Sequence, residues 1–82
     1  MQFKKIVETN KIAKFIKSRN LTSQYKKAKI YLEEGFFDAV RLKLREPKNK
    51  KIYYFRINKQ YRALCVIVNN ELRIFEIDDH SK

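Results

Sequence analysis

The chain has 82 residues, 20 of them Lys or Arg against 9 Asp or Glu, a formal net charge of +11 and a pI near 10.0. That length allows one domain with one modest core, since a chain this small buries only about two-thirds of its unfolded surface, and it leaves no room for a separate cofactor domain. Hydrophobic residues at 44% and six Phe with five Tyr are enough to build a core, which excludes a disordered basic tail.

A single Gly and a single Pro argue against a turn-rich sandwich or a linker-like segment. One cysteine, Cys65, cannot pair within the chain, and one Cys with one His cannot supply a structural zinc site. No metal, no cofactor and a reducing, cytoplasmic compartment are therefore expected. No apolar run approaches the roughly 20 residues a membrane span needs.

In chain order, Phe3 to Val7 suits a short strand or a first helical turn, and the strand is the preferred reading. Asn10 offers an N-terminal cap, and Ile12, Phe15 and Ile16 recur at helical spacing with Lys11, Lys14 and Lys17 between them. A second helix is expected from Thr22 or Ser23, with Leu21, Tyr25, Ala28 and Leu32 as its apolar stripe and Gly35 as its stop. Ala39 to Leu44 alternates, with Val40, Leu42 and Leu44 on one face and Arg41, Lys43 and Arg45 on the other, as in a half-exposed strand. Glu46 to Lys51 reads as a basic loop with Pro47 ending the ladder. Ile52 to Ile57 and Tyr61 to Val68 read as strands joined by Asn58-Lys59-Gln60, and Asn69-Asn70 suits a two-residue hairpin into Leu72 to Ile77. The expectation is one α+β domain spanning residues 1–82, two N-terminal helices packed on a four- or five-stranded, mainly antiparallel sheet.

Register sharpens the picture. With Asn58-Lys59-Gln60 as the loop, Arg56 lies opposite Arg62. Like charges directly opposed cost a sheet something like 0.2–1 kcal/mol, and an anion between two guanidinium forks reverses that sign. The two-residue turn at Asn69-Asn70 puts Val66 opposite Arg73 and brings Phe75 and Ile77 to the face of Arg62, where an aromatic can stack on a base. His80, in Asp78-Asp79-His80, is the one side chain whose ordinary pKa lies near neutrality. One His with two or three Arg and nearby Lys is sufficient for metal-free RNA cleavage by internal transesterification, which needs a base, an acid and cations around a phosphorane.

The run Tyr54-Phe55-Arg56-Ile57-Asn58-Lys59-Gln60-Tyr61-Arg62 resembles the strand–loop–strand segment of HigB-like members of the RelE/ParE toxin superfamily. Val40-Arg41-Leu42-Lys43 resembles the strand that precedes it there, and Asp79-His80-Ser81 resembles the strand end of YafQ-like and HigB-like toxins. The resemblance implies a toxin of a type II toxin–antitoxin system, partnered by an acidic antitoxin. It implies an mRNA endonuclease acting at the ribosome or, as the alternative on the same fold, a ParE-like gyrase inhibitor or a non-catalytic basic binding module. Carried over, Arg56 and Arg62 neutralise the scissile phosphate and His80 is the general acid or base. Lys43 or Arg45, with Lys50 and Lys51, holds flanking phosphates, and Arg73 extends the RNA-binding set. HigB-like members carry Tyr where this chain has Asp79, and YafQ-like members continue past the His with an apolar or aromatic residue; the expectation is that either the terminus is clipped or the aromatic role falls to Tyr54 or Tyr61.

Charge is unevenly placed. Residues 1–51 hold 15 Lys or Arg and 5 Asp or Glu, whereas residues 52–82 hold 5 and 4. The basic excess therefore belongs to the helices and the Arg41–Lys51 segment, where it would dock a large polyanion, and the strands with the two opposed arginines are nearly neutral.

Overall fold

A computed structural model describes residues 3–79. Strand β1 (Lys5–Glu8) leads into helix α1 (Asn10–Ser18) and helix α2 (Thr22–Glu33). A 3₁₀ turn at Phe37–Val40 follows, then strand β2 (Lys43–Leu44), a second 3₁₀ turn at Lys48–Lys50, and strands β3 (Tyr53–Arg56), β4 (Tyr61–Val68) and β5 (Glu71–Asp79). Among the described residues the strands form one mixed sheet in the order β1-β5-β4-β3-β2. The contacts from β5 through to β2 are antiparallel, and β1 joins β5 in parallel. The fold is α+β, with one strand ahead of the helices.

Period-3.6 patterning places the helices. Ile12 and Ile16 of α1, and Tyr25, Ala28 and Leu32 of α2, are buried against the sheet. Their partners are Phe55, Ala63, Cys65, Leu72 and Ile74, drawn from the three central strands. The α1 cap is Thr9, one residue before the expected Asn10, its hydroxyl accepting from the Ile12 N–H at 3.2 Å. Helix α2 is preceded by Leu21 and has no side-chain cap. It is held instead through Glu8 at the end of β1, whose carboxylate accepts from the Tyr25 hydroxyl and from Lys29 Nζ at 3.3 Å. Burial and the neighbouring Glu8 carboxylate push the Tyr25 phenol above its ordinary pKa, so Tyr25 stays a proton donor to Glu8. Gly35 ends the segment at φ 82°, a conformation that is free of steric cost only without a Cβ. No helix among the described residues is long and apolar enough to cross a membrane.

Two further expectations change. The alternating run Ala39 to Leu44 is only a strand at Lys43–Leu44; its first half is a 3₁₀ turn ending in Arg41 at φ 55°. Val40 is buried and Arg41 exposed as the alternation required, but a two-residue rhythm over so few positions does not distinguish a pleated strand from a tight turn. The second change is in β5. Asn69 and Asn70, both at positive φ, form the two-residue turn and set Val66 opposite Arg73. A bulge then follows: Cys65 pairs with Ile74 and Leu64 with Glu76, leaving Phe75 as the extra residue. One inserted residue reverses every later side chain. Ile77 opposes Ala63 in place of joining the Arg62 face, and Asp78 stands opposite Arg62.

Candidate anion-binding site

Strand β3 gives alternate residues to the two faces of the sheet. Phe55, fully buried, faces the helices, and Tyr54 and Arg56 emerge on the other side. Pairing Tyr54 with Leu64 and Arg56 with Arg62 aligns Tyr54, Arg56 and Arg62 on that open face, and β2 adds Lys43 opposite Tyr54. Together with Arg41 and with Asn58 and Lys59 of the connecting loop they line a cavity of about 200 Å³. Five of its seven lining residues are cations and none is an acid, which makes it an electropositive hollow where the basic Arg41–Lys51 segment meets the nearly neutral strands β3 and β4.

The opposed arginines are held apart by separate tethers. Arg56 Nε donates to the Asn58 carbonyl at 3.1 Å. Arg62 lies over the Tyr54 ring, its Cζ 4.7 Å from the centroid, and its Nη2 meets Asp78 Oδ2 at 3.3 Å. Its Nε is buried with no acceptor among the described residues, an unspent donor. Each guanidinium is thus oriented before any ligand arrives, which lowers the ordering cost of binding. The loop is fixed from within: Asn58 Oδ1 accepts from the backbone N–H groups of Gln60 and Tyr61, both at 2.8 Å, an Asx-type turn.

The expected residues separate into groups. Arg56, Arg62, Lys43 and Tyr54 converge on the cavity. Arg45 and Lys50 line a different, smaller hollow with Glu46, Pro47 and Ile52, and Lys51 is exposed at the left-handed end of the second 3₁₀ turn. Arg73 pairs with Glu71 through both Nε and Nη2, at 3.2 and 3.1 Å. Tyr61 is turned away from the cavity. It is only 9% exposed, and its ring meets Phe15 edge-on at 5.8 Å, because Tyr61 and Ala63 share the helix-facing side of β4. His80 lies outside the described residues. Sequence reasoning set Arg41 beside Lys43 on a strand face but did not assign it to the site, and it passed over Lys59 and Asp78. The loop position of Lys59 was a usable signal, but Asp78 depended on a bulge without a sequence mark. Cys65 is buried, and burial pushes its thiol up to about 12, so it is an inert core residue at neutral pH.

Asp78 competes with any incoming anion for Arg62. Asp78→Asn keeps the shape and removes the charge, and it should tighten binding of inorganic phosphate or a short oligonucleotide by about 2–5-fold at low salt, the range of a partly exposed ion pair. Titration calorimetry reads this directly. Unchanged or weaker binding would show that Asp78 orients Arg62 more than it occupies it.

No known protein-family profile matches the chain. Over 43 residues it is 46% identical to an uncharacterized protein of Haemophilus influenzae, a stretch that covers 52% of this chain and 43% of that protein. The match thus spans less than half the length of that relative.

Proposed function

We propose that this protein is a RelE/ParE-like toxin of a type II toxin–antitoxin system, an endoribonuclease that cuts mRNA, at the ribosome, without a metal ion. The observation that carries the reading is the Arg56–Arg62 pair, opposed across β3 and β4 in a hollow that Lys43 and Tyr54 complete. A sheet stabilised for its own sake would avoid that pair; a phosphate between the two forks accounts for it.

In this reading the scissile phosphate sits between Arg56 and Arg62. Removal of the 2′-OH proton lets that oxygen attack the adjacent phosphorus, and the 5′-oxygen leaves as it gains a proton, giving a 2′,3′-cyclic phosphate and a 5′-hydroxyl. The two guanidinium groups stabilise the charge gathered on the phosphorane oxygens. His80, the residue after β5, is assigned one of the two proton transfers. Tyr54 supports Arg62 from below its plane. The lysines of both helices, together with Arg45, Lys50 and Lys51, dock the ribosome's RNA through salt-sensitive phosphate contacts. The partner that silences the toxin is an acidic antitoxin laid across these basic surfaces.

The test is induction of the protein in a bacterial host followed by mapping of mRNA 5′ ends against the reading frame. The expected result is a burst of new 5′-hydroxyl ends within coding regions, lost in His80→Gln, since removing an acid–base group costs about 10²–10⁴-fold. Intact mRNA accompanied by a DNA-damage response would overturn the reading in favour of a gyrase inhibitor.

A further inference from the structure

A second hollow, about 450 Å³, adjoins the first and shares Arg56, Asn58 and Lys59 with it. It opens between α2 and the β3–β4 loop, and its lining is unlike that of the first. Ala28 and Ala39 supply short side chains that create the depression, Gln24 supplies an amide, and Tyr31 supplies a ring over which Lys27 Nζ lies 5.9 Å from the centroid, which leaves one face of the ring for a base. The size falls within the usual range for small-molecule clefts; three cations, Lys27, Arg56 and Lys59, remain in the lining, and the ring with the amides of Gln24 and Asn58 beside them suits a nucleobase attached to a phosphate.

The orientation of that amide follows from its neighbours. Backbone N–H groups can only donate, so Asn58 Oδ1, which takes two of them, is the oxygen. Asn58 Nδ2 must then donate, and it does so to Gln24 Oε1 at 3.1 Å. Gln24 Nε2 is left with no acceptor among the described residues. A chain of forced donors thus ends in an NH₂ group at the edge of the hollow. Such a group complements a base carrying a carbonyl on its outer edge, uracil O4 or guanine O6, and opposes the amino groups of cytosine N4 and adenine N6.

We infer that this hollow is a base-binding subsite for the nucleotide next to the phosphate held by Arg56 and Arg62, with Tyr31 as its stacking surface and Gln24 selecting keto bases, uracil or guanine, over amino bases. The inference rests on the phosphate-site reading above and adds a specificity element to it. Strand continuity supports it: Arg56 borders both hollows, so one phosphodiester at Arg56 places its attached nucleoside at the entrance of the second.

The test uses the full chain, 15N-labelled, titrated with inorganic phosphate and with 2′-O-methyl tetranucleotides of uridine, cytidine and adenosine, which bind without being cut. Phosphate should shift the signals of the first hollow, Arg56 and Arg62 among them, and leave Gln24, Lys27 and Tyr31 unmoved. The uridine tetranucleotide should in addition shift Gln24, Lys27 and Tyr31, and bind roughly 2–10-fold tighter than the adenosine one, the range of one hydrogen bond gained or opposed. Gln24→Glu keeps the acceptor for Asn58 and turns the free donor into an acceptor, so it should reverse the uridine-to-adenosine ratio. The ratio is the readout because the added negative charge weakens all oligonucleotides alike. Equal binding of the three tetranucleotides with no shift at Gln24, Lys27 or Tyr31 would overturn the base subsite and leave the phosphate site standing. No shift at the arginines with any probe would overturn both.

Discussion

On the proposed endoribonuclease function, substituting Arg62 with alanine is expected to lower RNA cleavage by about 10²–10³-fold, the usual cost of deleting one donor to a transition-state oxyanion, and to leave the fold intact. The two effects separate because of what Arg62 touches. It loses a partly exposed ion pair with Asp78 and its seat over Tyr54, each a contribution of order 0.5–1 kcal/mol. It also relieves the repulsion from Arg56 directly opposite, a term of similar size and opposite sign. The melting temperature should therefore move by only a few degrees. Arg56→Ala should resemble it in activity, because Arg56 is tethered by the Asn58 carbonyl and its terminal Nη atoms have no acceptor among the described residues. The double variant should lose little more than either single one, since two forks holding one phosphate act as a unit. Arg62→Lys keeps charge but loses the planar fork and the stack, so its activity should fall between wild type and Arg62→Ala. Cleavage rates with thermal melts recorded on the same samples decide the matter. Full activity in Arg62→Ala would remove the phosphate from between these strands.

The register that brings Arg56 opposite Arg62 was legible in the sequence, because a three-residue loop between two β-rich runs leaves few alternatives. The helices were legible for a similar reason: Ile12 and Ile16, and Tyr25, Ala28 and Leu32, repeat at the helical period and are the buried residues. Local signals carry that far. The 3₁₀ turn at Phe37–Val40 escaped because Arg41 adopts φ 55°, a conformation that no glycine or asparagine advertised there. The Phe75 bulge escaped because nothing in Ile74-Phe75-Glu76 differs from regular strand. Its consequences are not local, however. It puts Asp78 at Arg62 and Ile77, partly buried, opposite Ala63 on the helix side, so the electrostatic partner of the candidate site was set by a defect that composition and alternation do not encode. The Gln24–Asn58 bond was equally out of reach, since it joins two segments 34 residues apart through exposed amides. Tyr61 shows the opposite error. Adjacent to Arg62 and aromatic, it looked like a base-stacking residue, yet strict alternation along β4 already assigned it to the other face.

Phe55→Ala is expected to destabilise the protein by about 3–5 kcal/mol, the cost of truncating a fully buried phenylalanine. A domain of this size holds only roughly 5–15 kcal/mol in total, so this one change removes a large share of it. Phe55 is 0% exposed and faces Ala63 and the helices from the centre of the sheet. The small partner is what makes room for the ring. With Ala63 opposite, nothing bulky stands across the strand to fill the space left by truncation, which favours the upper part of the range. At about 4–8 °C per kcal/mol for a chain this short, the melting midpoint should fall by at least about 12 °C. Phe36→Ala is the matched control: its ring is 60% exposed, and its loss should stay within about 0.5 kcal/mol. Because Phe55 stands between Tyr54 and Arg56 on one strand, its loss also loosens the two residues that shape the cavity. Phosphate binding by Phe55→Ala at low temperature, where the chain is still mostly folded, should therefore weaken beyond what the unfolded fraction explains. A loss of stability under 1 kcal/mol would mean that β3 presents the other face to the helices, and with it that Tyr54 and Arg56 point into the core.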